Sequence, residues 1–415
     1  MKSFSCRRVL GLAILLSLGA SPLGMSQAQA PSAEQLARWL KRFPEADTDK
    51  DGSLTLEEAI AYRQKMLGDR GRSGGGGGGA PRDFKIDPGW DEDGFPEHAV
   101  SLKSAAEIKA VYAEVKNGRD PAVTSFEKPA DGALRIVGTG HSFMAPGYKT
   151  LPRIVEAAGY ETQPLFTHTG GGMTGSTRYK WEQENGIFDF DGKPMPKLLA
   201  SIANAEWDVM TWGPYFKDRP EFYACWIDFC LKYQPEMKFY LSDAWLQLYQ
   251  LDEIPTSEDY FTDEVIDRLQ AERGKVYVDL VETLRKDYPG RVFIMPTCEA
   301  MGLAGKAQRK GELPGIEGFH KVIGGKERSL WRDQLGHLGP GLERLEGYVF
   351  YATLYGKSPE LIEEEIDFRG TMKGGDDPGF PNAELDRKFR EIAWQAVIAN
   401  PYSGVKDENG DGVKD

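Results

Sequence analysis

The sequence predicts an α/β domain, a flavodoxin-like three-layer αβα fold around a five-stranded parallel sheet, preceded by a small helical EF-hand unit. Three observations carry that expectation. From residue 133 onward, apolar runs of strand length alternate with amphipathic segments of helical length, the pattern of a parallel sheet covered on both faces. The first run, residues 134–138, continues through Gly138 and Gly140 to Ser142, so a buried strand delivers a hydroxyl at its C-terminal end. Near the start of the chain, an acidic loop with alternating oxygen ligands lies between two helical segments.

The chain has 415 residues, 40% of them hydrophobic, enough for one large domain and an appendage. Its net charge of −13 argues against nucleic acid or an anionic membrane as partner. Residues 1–30 read as a signal peptide: Lys2, Arg7 and Arg8, a short apolar run, then a small-x-small site at Ala28-Gln29-Ala30, with cleavage after Ala28 as an alternative because Pro31 follows. The run is too short to anchor a mature chain, and the protein is expected to be exported, periplasmic or extracellular, with no membrane span after processing. Three cysteines remain after that segment, Cys225, Cys230 and Cys298, an odd set expected to be buried packing residues rather than a disulfide framework.

Residues 31–67 form the predicted EF-hand unit. Asp47, Asp49 and Asp51 supply carboxylates, Gly52 the sharp turn and Ser53 a carbonyl; Thr55 stands where a water-mediated ligand belongs, and Glu58 can bind bidentately. Calcium is the expected ion, in a structural role. At the other end, residues 401–415 repeat half of such a loop through Asp407, Asn409, Asp411 and Asp415; this is either a second cation site or a frayed acidic tail. Residues 68–82 contain six consecutive glycines, Gly74 to Gly79, too costly in backbone entropy for any packed element, so a linker is expected there. Residues 83–132 read as a lead-in.

Within the main domain, residues 133–400, strands are expected at 134–138, 161–166, 207–212, 238–242 and 291–297. Helices are expected near 148–158, 196–204, 220–233, 263–287, 341–355 and 384–399. The spacing of Phe222, Trp226, Phe229 and Tyr233 marks a buried helical stripe. Parallel strands joined by helices bring their C-termini to one edge, where ligands bind.

These residues carry a resemblance. The stretch from Leu134 to Met144, the glycine block after His168, the Ile294-Met295-Pro296 strand end, and Asp333 and His337 ahead of the last helices together resemble, in order, the blocks of the SGNH/GDSL hydrolases. The resemblance implies Ser142 as nucleophile, His337 as general base and Asp333 as the acid that orients it. It also implies an oxyanion hole from the N–H of Ser142 and of Gly171 or Gly172, plus an asparagine after the third strand. That asparagine is absent here; Gly213 N–H or the Tyr215 hydroxyl would stand in for it. His141, His168 and Tyr215 would line the pocket. Three residues rather than the family's two separate Asp333 from His337, and Gly336 is the residue able to absorb the extra one. The implied function is a serine esterase acting on a small-molecule or carbohydrate ester through an acyl-enzyme, with no cofactor for catalysis. The alternatives are a non-catalytic, calcium-dependent binding protein on a degenerate version of the fold, and a metal-dependent hydrolase built on His141 and His168.

Overall fold

In a computed structural model the chain divides into two units, Met1–Gly76 and Gly77–Asp415, and the boundary falls inside the glycine run. The structure describes residues 40, 44–55, 58, 104, 106–108, 110, 123–169, 175–184, 189–190, 193–194, 198–214, 218–245, 248, 251, 253–371 and 379–415. The expected signal peptide, the linker, most of the lead-in, Gly171, Gly172 and Tyr215 lie outside them. Among the described residues no helix is long and apolar enough to cross a membrane.

The second unit is an α/β fold. Its sheet comprises β1 (Ile136–Gly140), β2 (Leu165–Thr169), β3 (Val209–Trp212), β4 (Lys238–Ser242) and β5 (Val292–Met295). The order is β2-β1-β3-β4-β5 and every pairing is parallel. Alternate side chains feed two cores. Ile136, Val209 and Tyr240 point into one, with residues of α1 (Ala145–Ala157), α6 (Thr297–Arg309), α7 (Leu342–Tyr355) and α8 (Ala383–Ala399). Val137, Met210, Phe239 and Leu241 point into the other, with α3 (Leu198–Asn204) and the stripe Phe222, Trp226 and Phe229 of α4 (Glu221–Tyr233). The 25-residue α5 (Asp263–Asp287) serves both: Ile266 and Leu269 join the first core, Tyr277 and Leu280 the second. That two-sided burial is why these strands read as continuous apolar runs.

Helix starts follow local chemistry. The Thr262 hydroxyl accepts from Val265 N–H and Asn382 Oδ1 from Leu385 N–H, each satisfying an otherwise orphaned amide. The three cysteines are free and buried.

Boundaries and two elements differ from expectation. The first strand runs to Gly140 rather than ending at residue 138, because Gly138 and Gly140 belong to the ladder. They are glycines for clearance: a Cβ on Gly138 would meet the Thr211 and Tyr148 side chains, and one on Gly140 the Met144 sulfur. The second strand begins at Leu165, four residues later than expected, since Gln163 and Pro164 lead into it. Helix α2 (Gly175–Glu184) was not anticipated, having almost no amphipathic periodicity to announce it. Helix α6 was also not anticipated, although Cys298, Met301 and Ala304 enter the first core at helical spacing.

The C-terminal segment packs on the domain. Ser358 N–H donates to Gly412 O, Lys414 N–H to Gly356 O, and Trp394 Nε1 to Asp407 Oδ2. It is not frayed.

Candidate active site

The sheet order places the reversal of strand order beside β1, with β2 on one side and β3 on the other, and Ser142 emerges just beyond the C-terminal end of β1. Residues Ser142–Met144 form a 3-10 turn that runs directly into α1. Phe143 N–H donates to His141 Nδ1 and Met144 N–H to His141 O, leaving the Ser142 N–H at the head of this helical stretch outside those bonds.

His337 arrives from the far end of the chain. The short parallel strands β6 (Gly318–His320) and β7 (Ser329–Trp331) lead into a loop closed by a bridge between Trp331 and Leu338. Arg332 N–H donates to His337 O across its neck, and Leu248 N–H to Gln334 O ties it to the segment after β4. Inside the loop Asp333 Oδ1 accepts from Leu335 N–H and His337 N–H. Gly336 has φ +84°, a conformation open to glycine at little cost, and it accommodates the third intervening residue.

The result is a relay. Ser142 Oγ lies 2.7 Å from His337 Nε2, and His337 Nδ1 lies 2.8 Å from Asp333 Oδ2. A carboxylate only accepts, so Nδ1 carries the proton and Nε2 is left to accept from the serine hydroxyl. The Phe143 ring packs edge-on against His337 with centroids 4.9 Å apart, limiting the imidazole's rotation.

A pocket opens beside the pair, lined by Ser142 and His337 together with Phe143, Trp245 and Met301. Its polar wall has three buried acids, which sequence reasoning missed. Asp243 follows β4, and its Oδ1 accepts from Cys298 N–H at 2.7 Å in the first turn of α6. Glu343 and Glu346 come from α7, three residues apart and so on one helix face. Glu346 Oε2 accepts from Gly147 N–H at 2.6 Å, locking α7 to α1. Burial pushes the carboxyls of Asp243 and Glu346 up to about 8 and that of Glu343 up to about 7. Their signal in the sequence was present but weak: two glutamates inside the otherwise apolar face of the last-but-one helix.

Other expected residues fall elsewhere. Gly213 N–H donates to Thr139 O, extending the β1–β3 ladder, so it is not available as the oxyanion donor expected of it. His141 does not line the pocket: with Nδ1 accepting from Phe143 N–H, its Nε2 carries the proton and faces Pro214 O at 3.3 Å. Burial holds it neutral, down to about 3. His168 is buried on β2, away from the pocket, and burial lowers it to about 4. Both His141 ring nitrogens are engaged, which leaves His141 no ring nitrogen for the metal centre expected of it with His168.

In the first unit, carboxylate oxygens of Asp47, Asp49 and Glu58 lie within 4.8 Å of one another, the one such acidic group among the described residues. Asp47 Oδ1 is buried without a hydrogen-bond partner there, while Asp47 Oδ2 accepts from Gly52 N–H. Thr55 and Thr48 hydroxyls donate to the two Glu58 oxygens, and these bonds with the Thr55 and Thr48 amides hold its carboxyl down at about 2. Asp51 stands outside the group, its Oδ1 accepting from Ser53 N–H. An orphaned buried oxygen within a convergent acid set fits a hard cation. The tail behaves differently. Asp407 accepts from Gly410, Asp411 and Gly412 amides, Asn409 and Asp411 each accept from the residue two positions on, and Asp415 accepts from Glu408 N–H. Its three aspartates do not bring carboxylate oxygens within 4.8 Å of one another as Asp47, Asp49 and Glu58 do.

No family model matches the chain, and no curated protein matches it. Among solved structures it is similar to a DUF4886 family protein from Bacteroides uniformis, at 13% identity and a TM-score of 0.41, over 64% of this chain and 95% of that one.

Proposed function

We propose that the Gly77–Asp415 unit is a serine esterase of SGNH type. The observation that carries this reading is the Ser142–His337–Asp333 relay at the C-terminal edge of the sheet, with both hydrogen bonds under 3 Å. Ser142 Oγ attacks the ester carbonyl while His337 Nε2 takes its proton; Asp333 keeps Nδ1 protonated and stabilises the imidazolium. The carbonyl C–O bond to the leaving alcohol then breaks, and His337 returns the proton to that oxygen. Water, deprotonated by the same imidazole, attacks the acyl-enzyme and releases the acid and Ser142. The Ser142 N–H at the head of the helical stretch is the oxyanion donor this chain offers among the described residues, with Gly171 or Gly172 as the expected second.

The order of the sequence blocks supports the SGNH assignment, and the apparent signal peptide supports export. An acyl group on a carbohydrate is the substrate suggested by family and compartment together. The first unit holds Ca2+ through Asp47, Asp49 and Glu58, and in that role stabilises its own loop. The engaged amide of Gly213 favours one alternative, a non-catalytic binding protein. Hydrolysis of p-nitrophenyl acetate and acetylated oligosaccharides, measured beside Ser142→Ala, separates the two. Turnover that vanishes with the serine supports the esterase, and no turnover by the intact protein on any ester sinks it.

A further inference from the structure

The pocket beside Ser142 and His337 has an unusual wall for an ester site. Asp243, Glu343 and Glu346 are 4%, 5% and 2% exposed, yet all three line it. Among the described residues none of them forms an ion pair with Lys or Arg. Glu346 Oε2 accepts from Gly147 N–H, and the residue lines the pocket. Asp243 is anchored by the Cys298 amide, and Glu343 by amides at the head of its own helix, so all three carboxyls accept from backbone donors, with the Arg273 charge also acting on Asp243 and those of Arg332 and Arg344 on Glu343. The one cationic side chain in the lining, Arg332, is directed to Asp333 at 3.7 Å. Trp245 and Phe143 add aromatic surface to the same pocket.

Resting on the esterase reading, we infer that the substrate carries a cationic group, an ammonium, which seats among Asp243, Glu343 and Glu346 while its ester reaches Ser142. Neutral hydroxyl groups would meet these acids in their protonated form and bring no countercharge. An ammonium supplies that charge in a site where water does not screen it, and aromatic faces suit it as well. Burial pushes the free carboxyls toward the protonated form; a seated cation favours their ionisation.

The test uses two pairs of isosteric esters. In one pair the alcohol is choline or its carbon isostere, with tert-butyl in place of trimethylammonium; in the other the same exchange is made in the acyl chain. The expected result is a kcat/KM ratio of about tenfold or more for the charged member of one pair, falling toward one in Glu346→Gln. Equal turnover of charged and neutral members in both pairs, lost in Ser142→Ala, overturns the inference and leaves the esterase reading standing. If no ester is turned over, the esterase reading fails, and calorimetric titration with choline decides the pocket's charge preference directly. Choline binding weakened by Glu346→Gln upholds it; absent binding, or binding unchanged in that variant, overturns it. Glutamine keeps an oxygen for Gly147 N–H, and the wild-type comparison stands whether or not the variant folds.

Discussion

Ser142 Oγ and His337 Nε2 lie 2.7 Å apart although 195 positions separate them in the chain. Neither residue is activated alone: the hydroxyl needs an acceptor for its proton and the imidazole needs its tautomer fixed. On that relationship, Ser142→Ala and His337→Ala are each expected to lower kcat/KM for p-nitrophenyl acetate by about 10⁴-fold or more, with the double variant little worse than either single one. Additive losses in the double variant would mean that the two side chains do not act as a unit.

Asp333→Asn keeps the shape of the loop but replaces an acceptor facing His337 Nδ1 with a side chain that can also donate. It is expected to cost roughly 10³–10⁴-fold in kcat by favouring the wrong tautomer, with substrate KM changed far less. Steady-state kinetics at saturating ester reads this directly. A loss confined to KM would remove Asp333 from the relay.

Gly336→Ala places a Cβ on a residue with φ +84°. The strain is about 1–2 kcal/mol, and the loop can relieve it by shifting His337 away from Ser142. The expected signature is a fall in kcat of roughly tenfold or more with little change in thermal midpoint, because residues 332–337, inside the Trp331–Leu338 closure, belong to neither core. Unchanged kcat would show that the left-handed geometry does not set the register.

The buried acids give stability a pH slope. Glu346, raised to about 8 in the folded protein, binds more protons folded than unfolded from about pH 4.5 to 8, so its contribution is fully present at low pH and is lost as pH rises through about 8. His141, lowered to about 3, works in the opposite sense, costing stability as pH falls below its unfolded value near 6.5. Glu346→Gln isolates the first effect. Between about pH 5 and about pH 8 the wild type should lose on the order of 2 kcal/mol relative to the variant in urea denaturation. Parallel curves would place the Glu346 carboxyl near its ordinary range.

Glu58→Gln removes one carboxylate from the group that also contains Asp47 and Asp49. Calorimetric Ca2+ titration should show affinity lowered by about tenfold or more, while ester hydrolysis persists because the six-glycine run transmits little constraint. Loss of hydrolysis in this variant at saturating substrate would contradict the independence of the two units.

Much of this organisation was legible in local pattern. Strand and helix signals in the main domain depend on burial periodicity, so the five strands and the order of most helices could be read directly, β4 and α5 to the residue. The convergence of Asp47, Asp49 and Glu58 was legible for a similar reason: a local turn sets their spacing. Helix α2 was not, because a helix with little apolar periodicity is stabilised by the neighbours it meets.

What the amino-acid order determined alone was therefore local: the alternation that makes an α/β fold, the glycine break between units, and the residue types able to form a relay. Tertiary structure decided which of them meet. It brought His337 to Ser142 through a loop whose glycine absorbs an extra residue, and gave the Gly213 amide to the sheet. It also turned His141 away from the pocket and gathered Asp243, Glu343 and Glu346 into one wall. The physical reason is common to all four. A hydrogen bond or a desolvated charge depends on distance and burial, and those exist only after strands remote in sequence have been set side by side.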